Sequence, residues 1–239
     1  MTELRQRILF VLGSLVVFRI GTHIPVPGVD PAAVAAMFEQ TRGSIVDIFN
    51  MFSGGALARL SVLALGVMPY ISASIIIQMM SSIIPQLEQL KKEGASGRRK
   101  ITQYTRYGTV ALATFQALGI AIAIEGQQAA GGPVVLIPGI GFKITTVATL
   151  VTGTMFLVWL GEQISERGIG NGISLLLFGS LVAGRPSSVA GTLELARTGT
   201  FSPIGVLALF IGAIAITAAV VFVEKGQRRI TVNYAKRQQ

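Results

Sequence analysis

Few side chains in this sequence have the types and spacing that chemistry needs. His23 is its only histidine, so a His-based triad or a histidine–carboxylate metal site would have to centre there. It stands in the proline-rich stretch THIPVPGVDP, with no serine or carboxylate constellation around it. Gly94-Ala95-Ser96-Gly97 matches the G-x-S-G pattern of a membrane-embedded serine nucleophile. That motif falls in the most basic stretch of the chain, however, and proton abstraction needs a base within reach. Gly179–Arg185, GSLVAGR, has the glycine spacing of a P-loop without the Lys-Ser/Thr pair that holds phosphate and magnesium. Cysteine is absent, which excludes disulfides and thiolate chemistry. Glu162 and Glu224 fall at the ends of apolar runs, whereas proton relays need ionisable groups inside the membrane. No catalytic residue, metal ligand set or cofactor motif is expected.

The elements that would carry any site are apolar. Of 239 residues 51% are hydrophobic and 13% charged, with a mean hydropathy of +0.65, where a soluble domain shows about 25% charged residues. A span needs roughly 20 mainly apolar residues, and six runs are candidates: about Ile8–Ile24, Leu60–Ile84, Thr109–Ile124, Ile144–Gly161, Ile169–Ala183 and Pro203–Val223. Barrel strands would alternate apolar and polar residues; IGVLALFIGAIAITAAVVFV does not. The N-terminus looks like a signal peptide, but Arg19 and a turn-rich stretch stand where a small-residue cleavage site would be, so it is expected to be a retained first span. With the N-terminus in the cytoplasm, fourteen of the twenty basic residues fall on the inner side, the asymmetry of the positive-inside rule.

Two inner stretches concentrate charge: LKKEGASGRRKITQYTR, in a loop expected over 85–108, and EKGQRRITVNYAKRQQ from Lys225 onward. Attraction to anionic lipid accounts for both, and so does docking of a large acidic partner such as structured RNA or a motor protein. Gln227–Gln239 runs further past the sixth span than anchoring requires, which favours docking. Ala113, Ala117 and Ala121 form a close-packing stripe on the third span. In ERGIGNGIS, three glycines and an asparagine precede the shortest span and suit a hairpin as well as a hinge.

The stretch GSIVDIFNMFSGGALAR is the least ordinary. Ile45, Ile48, Phe49 and Phe52 follow i, i+3, i+4, i+7 and make one apolar face, and Ser44 with Asp47 is a helix-start signal. The helix breaks at Ser53-Gly54-Gly55 and is too short to span. An interfacial helix is one outcome. A re-entrant plug is the other, and Asn50, Gly54, Gly55 and Arg59, poor against lipid but tolerable in a wet cavity, favour it.

FNMFSGGALARLSVLALGVMPYISASIIIQ, KKEGASGRRKITQYTRYGT, LVTGTMFLVWLGEQISERGIGNGIS and VVFVEKGQRRITVNYAKRQQ resemble the bacterial SecY family, the channel subunit of the general protein translocon. The resemblance covers essentially the whole chain but only the first six of the family's ten spans. It implies an all-α polytopic membrane helix bundle, the N-terminal part of an hourglass channel with two inverted halves. It further implies a plug at about Ile45–Arg59 and a pore ring that includes Val67 and Ile71 of span two with Ile173 and Leu177 of span five. Spans two and three would form one wall of the lateral gate.

Lys225, Arg228, Arg229, Lys236 and Arg237 would begin a cytoplasmic loop that contacts the ribosome or the SecA motor ATPase. The implied company is SecE-like and SecG-like subunits, signal sequences, unfolded polypeptides and anionic lipids, in the bacterial inner membrane. The stop after six spans is expected to mark a fragment that needs the missing ones. The rival classes are a small-solute secondary transporter, which also uses broken helices, and an intramembrane protease.

Overall fold

The computed structural model describes residues 2–40, 45–129, 132–183, 192, 194, 196–197 and 203–226. The backbone forms two compact units, Met1–Arg185 and Pro186–Gln239. In the second, a helix covers Pro203–Glu224 and is apolar and exposed nearly all round, as a helix that meets lipid on every face would be.

The first unit begins with α1, Thr2–Gly21. Its end is capped by its own residues: the Thr22 hydroxyl donates to the Arg19 carbonyl at 2.7 Å, and His23 Nδ1 lies 2.9 Å from the same oxygen. That is the role of the lone histidine. α2, Pro31–Gln40, is next in the chain, and then the short α3, Ile45–Phe52. The next helix, α4, is Met68–Ile83 rather than the whole expected run from Leu60. Pro69 falls in its first turn, where the missing N–H costs nothing and the fixed φ suits the helix. Ile84 is extended (φ −91°, ψ 116°), as a residue before proline prefers, and α5, Pro85–Lys92, turns away from α4 by 99°.

The expected loop over 85–108 is therefore helical. After Gly94 (φ 73°) the chain enters α6, Ala95–Glu125, so Arg98, Arg99, Lys100 and Arg106 sit on a helix that extends the third span. The G-x-S-G motif is the corner itself: a Cβ on Gly97 would collide with the Leu90 carbonyl oxygen. A two-residue hairpin, Gln128–Ala129 with Gly132–Pro133, precedes α7, Ile140–Arg167. α8, Gly172–Ala183, completes the unit. ERGIGNGIS is a fastened hairpin, because the Asn171 side chain accepts from the N–H groups of Ile173 and Ser174 while Ser165 Oγ accepts from Gly172 N–H. The helix of the second unit is α9.

Among the described residues, α6, α7 and α9 are long and apolar enough to cross a membrane, and α4 with α5 would make a fourth span if the bent pair is one. α8 is apolar but has 12 residues. Ala113, Ala117 and Ala121 are all fully buried; the last two join Leu150 and Phe142 of α7, with Val26, Val29, Val34 and Leu60, in one core. A second core gathers Phe18, Leu63, Val67, Leu157, Leu160, Ile164 and Leu176. The non-helical segment 53–67 contributes to both. Its backbone polar groups are met by distant partners: Val26 N–H donates to Leu60 O and Val62 N–H to Ile24 O, each at 2.9 Å, which is the condition for burying irregular backbone.

Candidate functional site

Val67, Ile71, Ile173 and Leu177 meet in the second core, two from the start of α4 and two from α8. Val67 is 4% exposed at the N-cap of α4, and its carbonyl accepts from Ile71 N–H at 3.1 Å; the i, i+4 relation is kept although Val67 itself is not helical. Ile173 and Leu177 stand one turn apart on α8 and pack on the same cluster. Ile71, Ile173 and Leu177 also line a cavity of about 930 Å³ whose remaining lining is polar: Tyr70, Ser74 and Gln78 of α4, Thr102 and Arg106 of α6, and Glu162, Ser165 and Glu166 of α7 among them. The cluster thus presents bulky apolar side chains to one wall of a cavity that is otherwise polar.

α3 packs against α8. The expected apolar face is only half covered: Ile48 is 53% and Phe49 48% exposed, and Phe52 is partly buried. Ile45 opens the helix. Phe49 lies over a second, mainly apolar cavity of about 640 Å³ shared with Leu57, Met68 and Ile120. A helix with open space beneath its largest side chain is held by few contacts.

The turns after α3 are tied down more firmly. The Asn50 side-chain oxygen accepts from Ala58 N–H at 2.9 Å, and Ser53 Oγ donates to the Asn50 carbonyl while accepting from Leu57 N–H. Asn50 thus staples a turn, which is a more specific role than the cavity lining expected of it. Gly54 (φ 68°) and Gly55 (φ 82°) take left-handed conformations that side chains avoid, and Gly54 lies so close to Ser180 of α8 that a Cβ would stand 3.2 Å from its Cα. Arg19 of α1 donates to the Gly54 carbonyl at 3.0 Å. Arg59 is exposed and reaches over Gly55.

Sequence reasoning gave no bonding role to Arg19 or Ser53, and did not foresee the ion pairs Arg106–Glu162 (2.6 Å) and Lys143–Glu125 (2.8 Å) between α6 and α7. The pairs had a signal, since their members are equally spaced on two antiparallel runs; the Arg19 bond, to a backbone carbonyl 35 residues away, had none. Of the basic tail, Lys225 is exposed just beyond α9; Arg228, Arg229, Lys236 and Arg237 lie outside the described residues. Ser96 is exposed at the start of α6, and no cluster of metal-ligating side chains occurs among the described residues.

Residues 61–239 match the family model for SecY. The chain belongs to the SecY family. It is 58% identical over 99% of its length to the protein translocase subunit SecY of Escherichia coli K12, covering 53% of that protein. Against the SecY of Buchnera aphidicola the identity is 57%, over 99% of this chain and 66% of the relative. The chain spans about half the length of the first of these relatives.

In backbone it is similar to Sec61 in the canine ribosome–channel complex from the endoplasmic reticulum (TM-score 0.65, 17% identity, 96% of this chain and 50% of that one). A structure concerned with the plug domain of SecY, and with how it stabilises the closed translocation channel, gives a TM-score of 0.51 at 20% identity, over 90% of this chain and 42% of that one. The all-α SecY architecture is thus common to sequence and fold.

Proposed function

We propose that this chain forms the N-terminal part of a protein-conducting channel, through which unfolded polypeptides cross the bacterial plasma membrane and from which apolar helices pass sideways into lipid. One observation carries the reading: Val67, Ile71, Ile173 and Leu177 converge on a single apolar cluster beside a polar cavity. A ring of flexible aliphatic side chains gives way to any passing sequence and closes again afterwards, since it makes no directional bond with the substrate. Six spans, with the N-terminus inside, would cross the membrane, and Ile45–Arg59 would be the plug on the outer side of the ring.

The chain performs no bond chemistry in this reading. A motor ATPase of the SecA type or a translating ribosome supplies the drive, docked partly on Lys225, Arg228, Arg229, Lys236 and Arg237, and SecE-like and SecG-like subunits complete the assembly. Anionic lipids neutralise the inner basic helices. Membership of the SecY family and the charge asymmetry of the sequence support these assignments.

The test is transport. Proteoliposomes with a full-length channel carrying these residues should protect an added signal-bearing precursor from protease when motor and ATP are present. Charge reversal at Arg228 and Arg229 should lower that protection and its sensitivity to salt. Absence of protection in the unaltered channel would overturn the reading.

Orientation is checked separately. The chain has no cysteine, so single cysteines at positions 99 and 143 can be labelled on intact cells with an impermeant thiol reagent. Position 143 is expected to react and position 99 to stay unlabelled; the reverse would invert the topology.

A further inference from the structure

α6 and α7 run antiparallel and are joined at two levels. At one, Arg106 meets Glu162 with contacts of 2.6, 2.7 and 3.1 Å to its carboxylate oxygens. At the other, Lys143 meets Glu125 at 2.8 Å, and Glu125 also accepts from Gly139 N–H at 2.7 Å. The intervals are equal: 106 to 125 on α6 and 143 to 162 on α7, nineteen residues each, and neither contains Asp, Glu, Lys or Arg between its ends. At 1.5 Å per residue this is about 28 Å, against a hydrocarbon core of about 30 Å.

Most outward side chains of the interval are apolar and open, Phe115 at 77% exposure above all. The exposed exceptions are Thr114, Thr145 and Thr152, of which Thr114 returns its hydroxyl to the Val110 carbonyl. Aromatics that prefer the headgroup level gather at one end only. Tyr104 and Tyr107 flank Arg106, and Trp159 stands one turn from Glu162; all three are exposed.

We propose that the two ion pairs are the vertical stops of this chain in the bilayer, with Arg106–Glu162 at the inner headgroup boundary, Lys143–Glu125 at the outer one, and lipid hydrocarbon covering the helix pair between them. The inner and outer labels rest on the membrane orientation of the proposed channel. Pairing removes the net charge at each level while leaving a dipole that headgroups solvate, joined at the inner level by water in the polar cavity that Arg106 and Glu162 also line. Moving either pair toward the core would desolvate the charges on its lipid side. The same pairs fix the register of the helices, which cannot slide without breaking both. α6 then projects about 16 Å beyond the inner stop, from Arg106 back to Ala95, and carries Arg98, Arg99 and Lys100 clear of the hydrocarbon.

Trp159 is the only tryptophan, so its depth can be read directly in phosphatidylcholine–phosphatidylglycerol vesicles with bromines at acyl positions 6,7 or 11,12. The full chain is expected to be quenched at least about twofold more by the shallow label, as an interfacial indole would be. With the probe moved to the middle of the interval, by Trp159→Phe together with Phe115→Trp, the order should reverse. Removal of both charges, by Arg106→Leu together with Glu162→Leu, should bring the native ratio toward one, since nothing at that level then resists entry into hydrocarbon. Deep quenching of native Trp159 would overturn the placement of the inner stop, and an unchanged ratio in the doubly uncharged variant would overturn the pinning. Quenching by neither label at either probe position would instead overturn the membrane reading itself.

Discussion

In a full-length channel carrying these residues, deletion of Ile45–Phe52 is expected to raise ion leak across a planar bilayer, and adding Ile71→Ser and Ile173→Ser should raise it by about a further tenfold or more, because hydroxyls hold water in a constriction that aliphatic groups dewet. The two steps are separable because the barriers differ. α3 is held by its packing on α8, by the close approach of Gly54 to Ser180 and by the Arg19 bond to the Gly54 carbonyl. Ile48 and Phe49 remain half exposed. In the proposed channel such a segment would be displaced at a cost on the order of a few kcal/mol, which an entering polypeptide would supply by differential binding.

The proposed ring should behave differently: Val67 and its neighbours belong to a core that also holds Phe18, Leu157 and Ile164. Although the deletion removes the Asn50 bond to Ala58, that core should persist and still limit the current. Arg19→Ala should resemble the deletion in milder form, with Arg19→Lys restoring part of the seal. If neither the deletion nor the serine substitutions change the leak, α3 is an interfacial helix and the four aliphatic residues are ordinary packing.

Gly153→Ala and Gly119→Ala should have opposite signs although the chemical change is the same. A Cβ on Gly153 would collide with the Val62 carbonyl oxygen, whereas at Gly119 nothing lies within 4 Å. Val62 cannot retreat easily, since its N–H is bonded to Ile24 O and its side chain packs on the second core. Overpacking against fixed backbone costs about 3 kcal/mol. In the open site the alanine reduces unfolded-state freedom and favours the helix by about 1 kcal/mol. Thermal unfolding midpoints in detergent measure both: Gly153→Ala should fall well below the parent and Gly119→Ala should equal or exceed it. A Gly153→Ala variant as stable as the parent would mean that α7 does not approach the 53–67 segment this closely.

Much of the architecture was legible in residue order alone. Thr109–Ile124 and Ile144–Gly161, read as apolar runs, lie within the charge-free intervals between the two ion pairs, because a charge is costly in hydrocarbon wherever the rest of the chain lies. The break expected at Ser53-Gly54-Gly55 likewise falls where α3 ends, since glycine freedom acts within a turn or two; Ser44 of the expected start signal lies outside the described residues. The four ring positions were a different case. Periodicity marked them only as apolar, and the role proposed for them comes from the likeness to SecY.

Tertiary structure decided what local pattern could not. The run Leu60–Ile84 reads as one span, yet only Met68–Ile83 is helical; residues 53–67 are turns whose N–H and C=O groups find partners in Ile24, Val26, Asn50 and Ser53. Apolarity records that a segment is buried, whereas helicity there depends on whether other strands of chain can satisfy its backbone. The same distinction turned the 85–108 loop into a helical elbow, gave Asn50 a bond to Ala58 N–H, and brought Val67 against α8. Burial is a property each residue carries in its own chemistry, but a hydrogen-bond partner thirty-five residues away exists only once the chain has folded.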